Sequence, residues 1–181
     1  MPRLFAFLRA INVGGHTVKM DHLRGLFEEL GFSKVETFIA SGNVIFESDE
    51  SGTQALESRI EDHLQAALGY EVATFIRTEA ELADIAQYQP FPVEQADTGG
   101  SLYIAFLKAT TTTQAQHDLM AFRTDIDDFH VHGREVYWLC RTSLSQSTFS
   151  GARLEKTLGM PATLRNVTTV QKLAAKYPAS Q

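Results

Sequence analysis

Cysteine is almost missing from this chain of 181 residues, where Cys140 stands alone. No internal disulfide can form, and a fold held without one suits a reducing compartment. Cys140 closes the apolar run Val136-Tyr137-Trp138-Leu139-Cys140, a setting for a small buried hydrophobe rather than a reactive thiol. Long apolar stretches are missing too. None approaches the ~18 residues of a membrane span. The short run that follows Met1-Pro2-Arg3 is interrupted by Arg9 and lacks the small-residue cleavage pattern of a signal peptide. The expected location is the cytoplasm, with no membrane partner. Positive charge is scarce, with 16 Lys+Arg against 22 Asp+Glu and a formal net charge of -6. Such a chain repels a phosphate backbone on average, so nucleic acid is not an expected partner. There is no HExxH, no paired CxxC and no EF-hand loop, and neither a GxGxxG nor a GxxxxGK[ST] pattern. No metal and no cofactor are therefore expected.

What the chain does have is an internal repeat. Ala6-Phe7-Leu8-Arg9-Ala10 returns as Ala105-Phe106-Leu107-Lys108-Ala109. Ser41-Gly42-Asn43 ahead of an apolar run is echoed by His132-Gly133-Arg134, and Leu68-Gly69 by Leu158-Gly159. Thr78-Glu79-Ala80-Glu81 is echoed by Thr168-Thr169-Val170-Gln171, and both read as capping boxes at helix starts. Four matches in one order point to duplication. The periodicities agree. Residues 3–9, 34–40, 43–48 and 71–77 read as strands, with Ser41-Gly42-Asn43 as a tight turn. Met20, Leu23, Phe27 and Leu30 share a helix face, as do Leu56, Ile60, Leu64 and Leu68, and 79–87 is a short helix. The second half repeats this with strands near 101–108, 128–132, 135–141 and 162–166, and helices near 113–122, 152–158 and 169–176. The fold class expected is α+β: two ferredoxin-like βαββαβ-type halves related by internal duplication. Residues 1–88 form the first half. Residues 89–100, with Pro90, Pro92, Gly99 and Gly100, form a linker. Residues 101–181 form the second half.

The repeat fails in two places. Ala10 to Gly42 is a step of 32 positions, whereas Ala109 to Gly133 is 24. The first half thus carries an enlarged loop, placed in Ile11-Asn12-Val13-Gly14-Gly15-His16-Thr17-Val18-Lys19. Ordering extra backbone costs roughly 1–2 kcal/mol per residue, and loops enlarged in this way often carry function. The second failure is Arg165, aligned with Phe75 or Ile76 of the first half once a one-residue slip is allowed. A guanidinium replacing a hydrophobe there needs a partner if it is shielded from water.

The same residues carry a family resemblance. Arg9-Ala10-Ile11-Asn12-Val13-Gly14-Gly15, Lys19-Met20 and Ser41-Gly42-Asn43-Val44-Ile45-Phe46, with Pro161-Ala162-Thr163-Leu164-Arg165-Asn166 near the end, resemble the signature of the bacterial domain-of-unknown-function 1697 family. Val167 stands where that family usually has tryptophan, and Ala10 where glycine is common. The resemblance implies a cytosolic two-part α+β fold and transfers no activity.

Candidate sites follow from the residues. Gly14 and Gly15 lie between a strand and a helix, where successive N–H groups and a helix N-terminus can hold an anion. Arg9 and Lys19 flank them and could neutralise it. Asn12 adds an amide, Ser41 and Asn43 polar groups of the turn, and Arg165 with Asn166 a cation and an amide at a strand end. The function expected is therefore binding of a small anionic ligand by Arg9, Asn12, Gly14, Gly15, Lys19, Ser41, Asn43, Arg165 and Asn166, between the two halves. One alternative is an enzyme acting on a phosphorylated or nucleotide-like substrate, with no catalytic residue assigned. The other is a nucleic-acid or protein interaction module. His130 and His132 share one strand face near Asp125, Asp127 and Asp128, and read as a solvated edge with an acidic turn. Phe5 and Phe7 read as core.

Overall fold

The computed structural model describes residues 1–9, 11, 17–39, 42–92, 100–142 and 147–179. The chain divides into two compact units, Met1–Ala86 together with Lys172–Gln181, and Gln87–Gln171. Each is built on a four-stranded antiparallel sheet. The first runs β1 Arg3–Leu8, α1 Met20–Glu29, β2 Ser33–Thr37, β3 Asn43–Glu47, α2 Thr53–Leu68, β4 Thr74–Thr78 and α3 Glu79–Gln87. The second runs β5 Ser101–Phe106, α4 Thr113–Met120, β6 Asp127–His132, β7 Glu135–Cys140, α5 Gly151–Leu158, β8 Thr163–Asn166 and α6 Val167–Lys176, which from Lys172 onward belongs to the first unit. The strand orders are β2-β3-β1-β4 and β6-β7-β5-β8, the same arrangement twice. This is the α+β, doubled βαββαβ plan. No helix among the described residues is long and apolar enough to cross a membrane.

In the first sheet, Leu4, Ala6, Leu8, Val44, Phe46 and Ile76 pack with Leu23, Phe27, Leu56, Ile60 and Leu64 of the two helices. In the second, Ala105, Val136, Trp138 and Phe129 do so with Leu119, Leu154 and Leu158. The opposite faces are buried as well, including Phe5, Phe7, Ile45 and Phe75 in one sheet and Ile104, Phe106, Tyr137 and Leu139 in the other. Burial on both sides explains why β1 reads as a continuous apolar run rather than an alternating one. On the second face of the first sheet, Tyr177, just past α6, meets Phe5 edge-on at 6.0 Å between ring centroids. Its ring lies 5.0 Å from the Arg3 guanidinium carbon, and its hydroxyl donates to Glu36.

The sheet edges carry their own protection. Beyond β4, Glu57 accepts from the N–H of Ile76 at 2.9 Å, and Glu61 one turn along α2 accepts from the N–H of Thr74 at 2.9 Å. The second unit places Glu155 on the N–H of Ala162, at the start of β8, at 3.2 Å. Carboxylates supplied by the covering helix thus occupy strand donors that would otherwise template another chain. At the far edge of the first sheet, β2 is interrupted by an irregularity between Ser33 and Glu36, and Lys34 adopts a φ of 49°.

The strand registers correct three details of the repeat. Ala6 pairs with Val44 and Ile76, as Ala105 pairs with Val136 and Leu164. The counterpart of Gly42 is therefore Arg134, not Gly133. Both supply the carbonyl that accepts from the end of the central strand, Gly42 from Leu8 at 2.8 Å and Arg134 from Leu107 at 2.9 Å. The counterpart of Thr78 is Asn166, opposite Tyr103 as Thr78 is opposite Leu4. Thr78 and Glu81 do form a capping box, but α6 starts earlier than the Thr168 box predicts and is capped by Asn166. Most consequentially, Arg165 lies opposite Ile104 as Arg77 lies opposite Phe5. Arg165 does not replace a hydrophobe, because an arginine occupies the same place in both units. The slip arose because Arg77 lies eight positions beyond Gly69 while Arg165 lies six beyond Gly159.

The Glu57 carboxylate is only 1% exposed, so losing it strands a buried donor. We expect Glu57→Ala to lower stability by about 1–3 kcal/mol, read as a reduced urea midpoint. Glu57→Gln keeps an acceptor oxygen and should recover much of the loss.

Candidate functional site

At the end of β1 the chain is pinned before it leaves the sheet. The N–H of Arg9 donates to the carbonyl of Ala73 at 2.9 Å, while the Arg9 residue itself is exposed. Ile11 is buried, and its carbonyl accepts the Tyr70 hydroxyl at 2.9 Å. Val18 is buried in turn, and exposed Lys19 occupies the N-cap of α1 with no side-chain cap bond there. Asn12, Gly14 and Gly15 lie outside the described residues. The segment that carries them is therefore anchored on both sides by apolar burial, with one cation at each end.

A second loop meets the first. The N–H of Phe38 donates to the carbonyl of Asn43 at 3.0 Å. The buried Asn43 side chain returns its amide to the carbonyls of Phe38 at 3.0 Å and Ile39 at 3.4 Å. Asn43 thus shapes the hairpin loop, and it begins β3, at the start of the strand expected over 43–48. Ser41 lies outside the described residues. Gly42 has a φ of 80°, and a Cβ there would sit 3.0 Å from the carbonyl oxygen of Leu8 and 3.3 Å from Cγ2 of Ile11. Only glycine allows both the backbone angle and the approach.

Both loops exceed their counterparts. Eleven residues separate β1 from α1, against six between β5 and α4. Five separate β2 from β3, against two between β6 and β7. The extra length of the first half is thus divided between two loops that touch at Gly42, rather than confined to residues 11–19. At the opposite end of the sheet an open depression of about 310 Å³ is lined by Phe32, Glu47, Asp49 and Glu50 among others. Two of its acids are paired, Glu47 with Lys34 and Glu50 with Arg59.

The structure brings Arg9 and Asn43 to one end of the first sheet, with Lys19 at the far end of the same loop. Arg165 and Asn166 belong to the second unit. Arg165 is half-buried, and burial pulls its pKa down to about 10, which leaves it charged at neutral pH. Its guanidinium donates to the Thr163 hydroxyl and the Leu164 carbonyl, both at 2.8 Å. Arg77, fully buried, makes the corresponding bond to the carbonyl of Ile76 at 2.9 Å. Asn166 accepts from the N–H of Thr168 at 2.9 Å and caps α6.

The remaining polar groups also have structural partners. Cys140 is buried, burial raises its pKa, and its thiol faces the Thr142 carbonyl at 3.3 Å. Asp127 accepts the Trp138 indole N–H at 2.8 Å and the Ser147 hydroxyl at 2.7 Å. Asp128 pairs with Arg123 at 2.7 Å. Tyr88, expected only as the last residue of the first half, is a partner that sequence reasoning missed. Its hydroxyl lies 2.7 Å from Nε2 of His130, and its ring stacks on His132 at 4.0 Å and 11°. A lone tyrosine between a helix and a proline-bearing segment carries no signal for such a contact. Among the described residues no three His, Cys, Asp or Glu side chains gather as metal ligands.

Two outcomes follow from this geometry. Gly42→Ala forces a methyl against Leu8 at a positive φ, and we expect a loss of about 1–3 kcal/mol, measured by urea denaturation. For His130, burial lowers the pKa from the usual 6.5, His132 adds to that and Asp128 opposes it. The unfolded chain then binds the proton more readily than the folded one. The stability involved is complete above 6.5 and is lost as pH falls through the lower folded value. Thermal melts from about pH 8 to pH 5 should show this decline, and His130→Gln should flatten it.

Comparison with known proteins agrees with this architecture. A solved structure described as a conserved bacterial protein from Streptococcus pneumoniae superposes with a TM-score of 0.72 at 20% identity, covering 96% of this chain and 97% of that one. At that identity the likeness shows a common fold. No curated protein matches the chain. The profile of the family described as "Protein of unknown function (DUF1697)" matches residues 1–137, which hold both loops at Gly42 and the whole first sheet. The chain belongs to that family.

Proposed function

We propose that the protein binds a small anionic ligand at the end of the first sheet where its two enlarged loops meet. The observation that carries this reading is the close approach of Gly42 to Leu8 and Ile11. It joins two loops, β1 to α1 and β2 to β3, that are longer than their counterparts in the second unit. Material added twice at one place, and held there by a glycine contact, Tyr70 and two buried aliphatic residues, is not demanded by the sheet, since the second unit builds the same sheet without it.

The chemistry favours an anion. Arg9 and Lys19 are exposed, the N-cap residue Lys19 makes no side-chain cap bond to α1 among the described residues, and the positive end of a helix dipole favours an anion. Asp21 in that first turn is engaged with Arg24 at 3.1 Å. Asn12, Gly14, Gly15 and Ser41 supply further amides and a hydroxyl to the proposal, and Asn43 holds the loop shape. The proposal does not need Arg165 and Asn166. Their hydrogen bonds give them framework roles, and the arginine recurs as Arg77.

The test is calorimetric titration with inorganic phosphate, sulfate and citrate at low ionic strength, beside native mass spectrometry of gently purified protein. Wild type is expected to bind at least one anion, with an affinity that falls as salt is added. Arg9→Ala with Lys19→Ala should weaken binding by about tenfold or more, since charge-assisted hydrogen bonds contribute ~1.5–3 kcal/mol each. Lys172→Ala, exposed on α6, serves as the charge control. Unaltered binding in the double variant would remove the site from these loops.

A further inference from the structure

Ile39 combines two features that isolated surface residues rarely share. Its φ is 46°, in the left-handed region, where a β-branched side chain crowds its own backbone. It is also 49% exposed, and the other large hydrophobic residue so exposed among those described is the terminal Met1. Burial in the core therefore does not compensate the strain. The neighbouring bonds hold it in place, because the buried Asn43 amide donates to the Ile39 carbonyl at 3.4 Å and to the Phe38 carbonyl at 3.0 Å. Asparagine or glycine would occupy this position without strain. An apolar side chain is instead held out to water by a backbone fixed from behind. Strain that the surrounding structure maintains is characteristic of ligand clamps and other functional positions.

The place of this residue gives the feature its meaning. Ile39 lies three residues before Gly42, and a chain extends only ~3.3–3.6 Å per residue. Its backbone is therefore within about 10 Å of the contact where the two enlarged loops meet. That separation suits a single small molecule. A lone isoleucine is too little for a protein interface, which needs a contiguous apolar patch. The adjacent Phe38 ring already lies 5.4 Å from the Lys176 ammonium.

We infer that Ile39 is an apolar contact residue of the loop site, and that the ligand is an anion bearing a hydrophobic group: an aryl or alkyl phosphate or carboxylate rather than a bare inorganic ion. This rests on the anion-binding reading above and narrows its ligand class. The acid group meets Arg9 and Lys19, and the apolar group covers Ile39.

The experiment compares inorganic phosphate with phenyl phosphate by calorimetric titration of wild type, Ile39→Asn and Ile39→Val. Wild type is expected to bind phenyl phosphate about tenfold more tightly, as burial of a modest apolar area implies. Ile39→Val should keep that margin. In Ile39→Asn the ratio of the two dissociation constants should fall to about one, while relief of the backbone strain raises Tm by about 2–4 °C. Binding of phosphate without preference for the phenyl ester, or an unchanged margin in the asparagine variant, would overturn the role of Ile39 and leave the anion site standing. A lowered Tm in that variant would also overturn it, by showing that Ile39 serves packing. If neither compound binds, the anion reading itself fails, and this inference with it.

Discussion

In each sheet an alanine sits on the helix-facing side of the central strand, between a valine on one neighbour and a larger aliphatic residue on the other. The rows are Val44-Ala6-Ile76 and Val136-Ala105-Leu164. The small central side chain leaves room for helix residues to pack down onto the sheet at the density that protein interiors require. The strand pairing around these alanines sets everything else, because moving a strand by one residue turns each side chain to the opposite face. It places Arg77 and Arg165 at one shared position, makes Thr78 and Asn166 the caps of the helices that follow, and puts the carbonyls of Gly42 and Arg134 on the ends of the central strands.

Sheets apolar on both faces leave their polar groups at the margins, and this chain meets that constraint with helix-borne carboxylates. Glu57 and Glu61 are one helical turn apart and reach alternate N–H groups of β4, so the helix period and the strand period coincide along that edge. Buried Arg77 and half-buried Arg165 use nearby backbone, each donating to the carbonyl of the residue before it. A guanidinium can be buried only with such partners. Glu57, Glu61, Arg77 and Arg165 each make hydrogen bonds that serve the framework.

Once the framework is subtracted, what remains is concentrated. The second unit joins β5 to its helix with six residues and β6 to β7 with two. The first unit lengthens both of these connections, and the two lengthened loops meet against the end of β1. Gly42 passes close over Leu8 and Ile11, which brings the two loops together. Ile39 and Asn43 belong to the same arrangement, one strained and exposed, the other buried and holding it.

Much of the architecture was legible in the residues alone. Helix periodicity in Leu56, Ile60 and Leu64, glycine after Leu68 and Leu158, and the recurrence of Ala-Phe-Leu with a cation sufficed for two βαββαβ halves, because these patterns reflect local geometry and burial on one face. Register was not legible. Leu4-Phe5-Ala6-Phe7-Leu8 is apolar on both faces, so no alternation reveals which side chains share a side, and Arg165 was matched to Phe75 or Ile76 when its equivalent is Arg77. The hairpin misled for a related reason: a glycine in each turn invites alignment, but the turns differ in length. The sequence by itself determined the elements, their order and the excess of loop in the first half. Only the tertiary structure decided which residues are equivalent, which polar groups are consumed by edges and caps, and that the extra loops touch, because those facts depend on pairing between segments far apart in the chain.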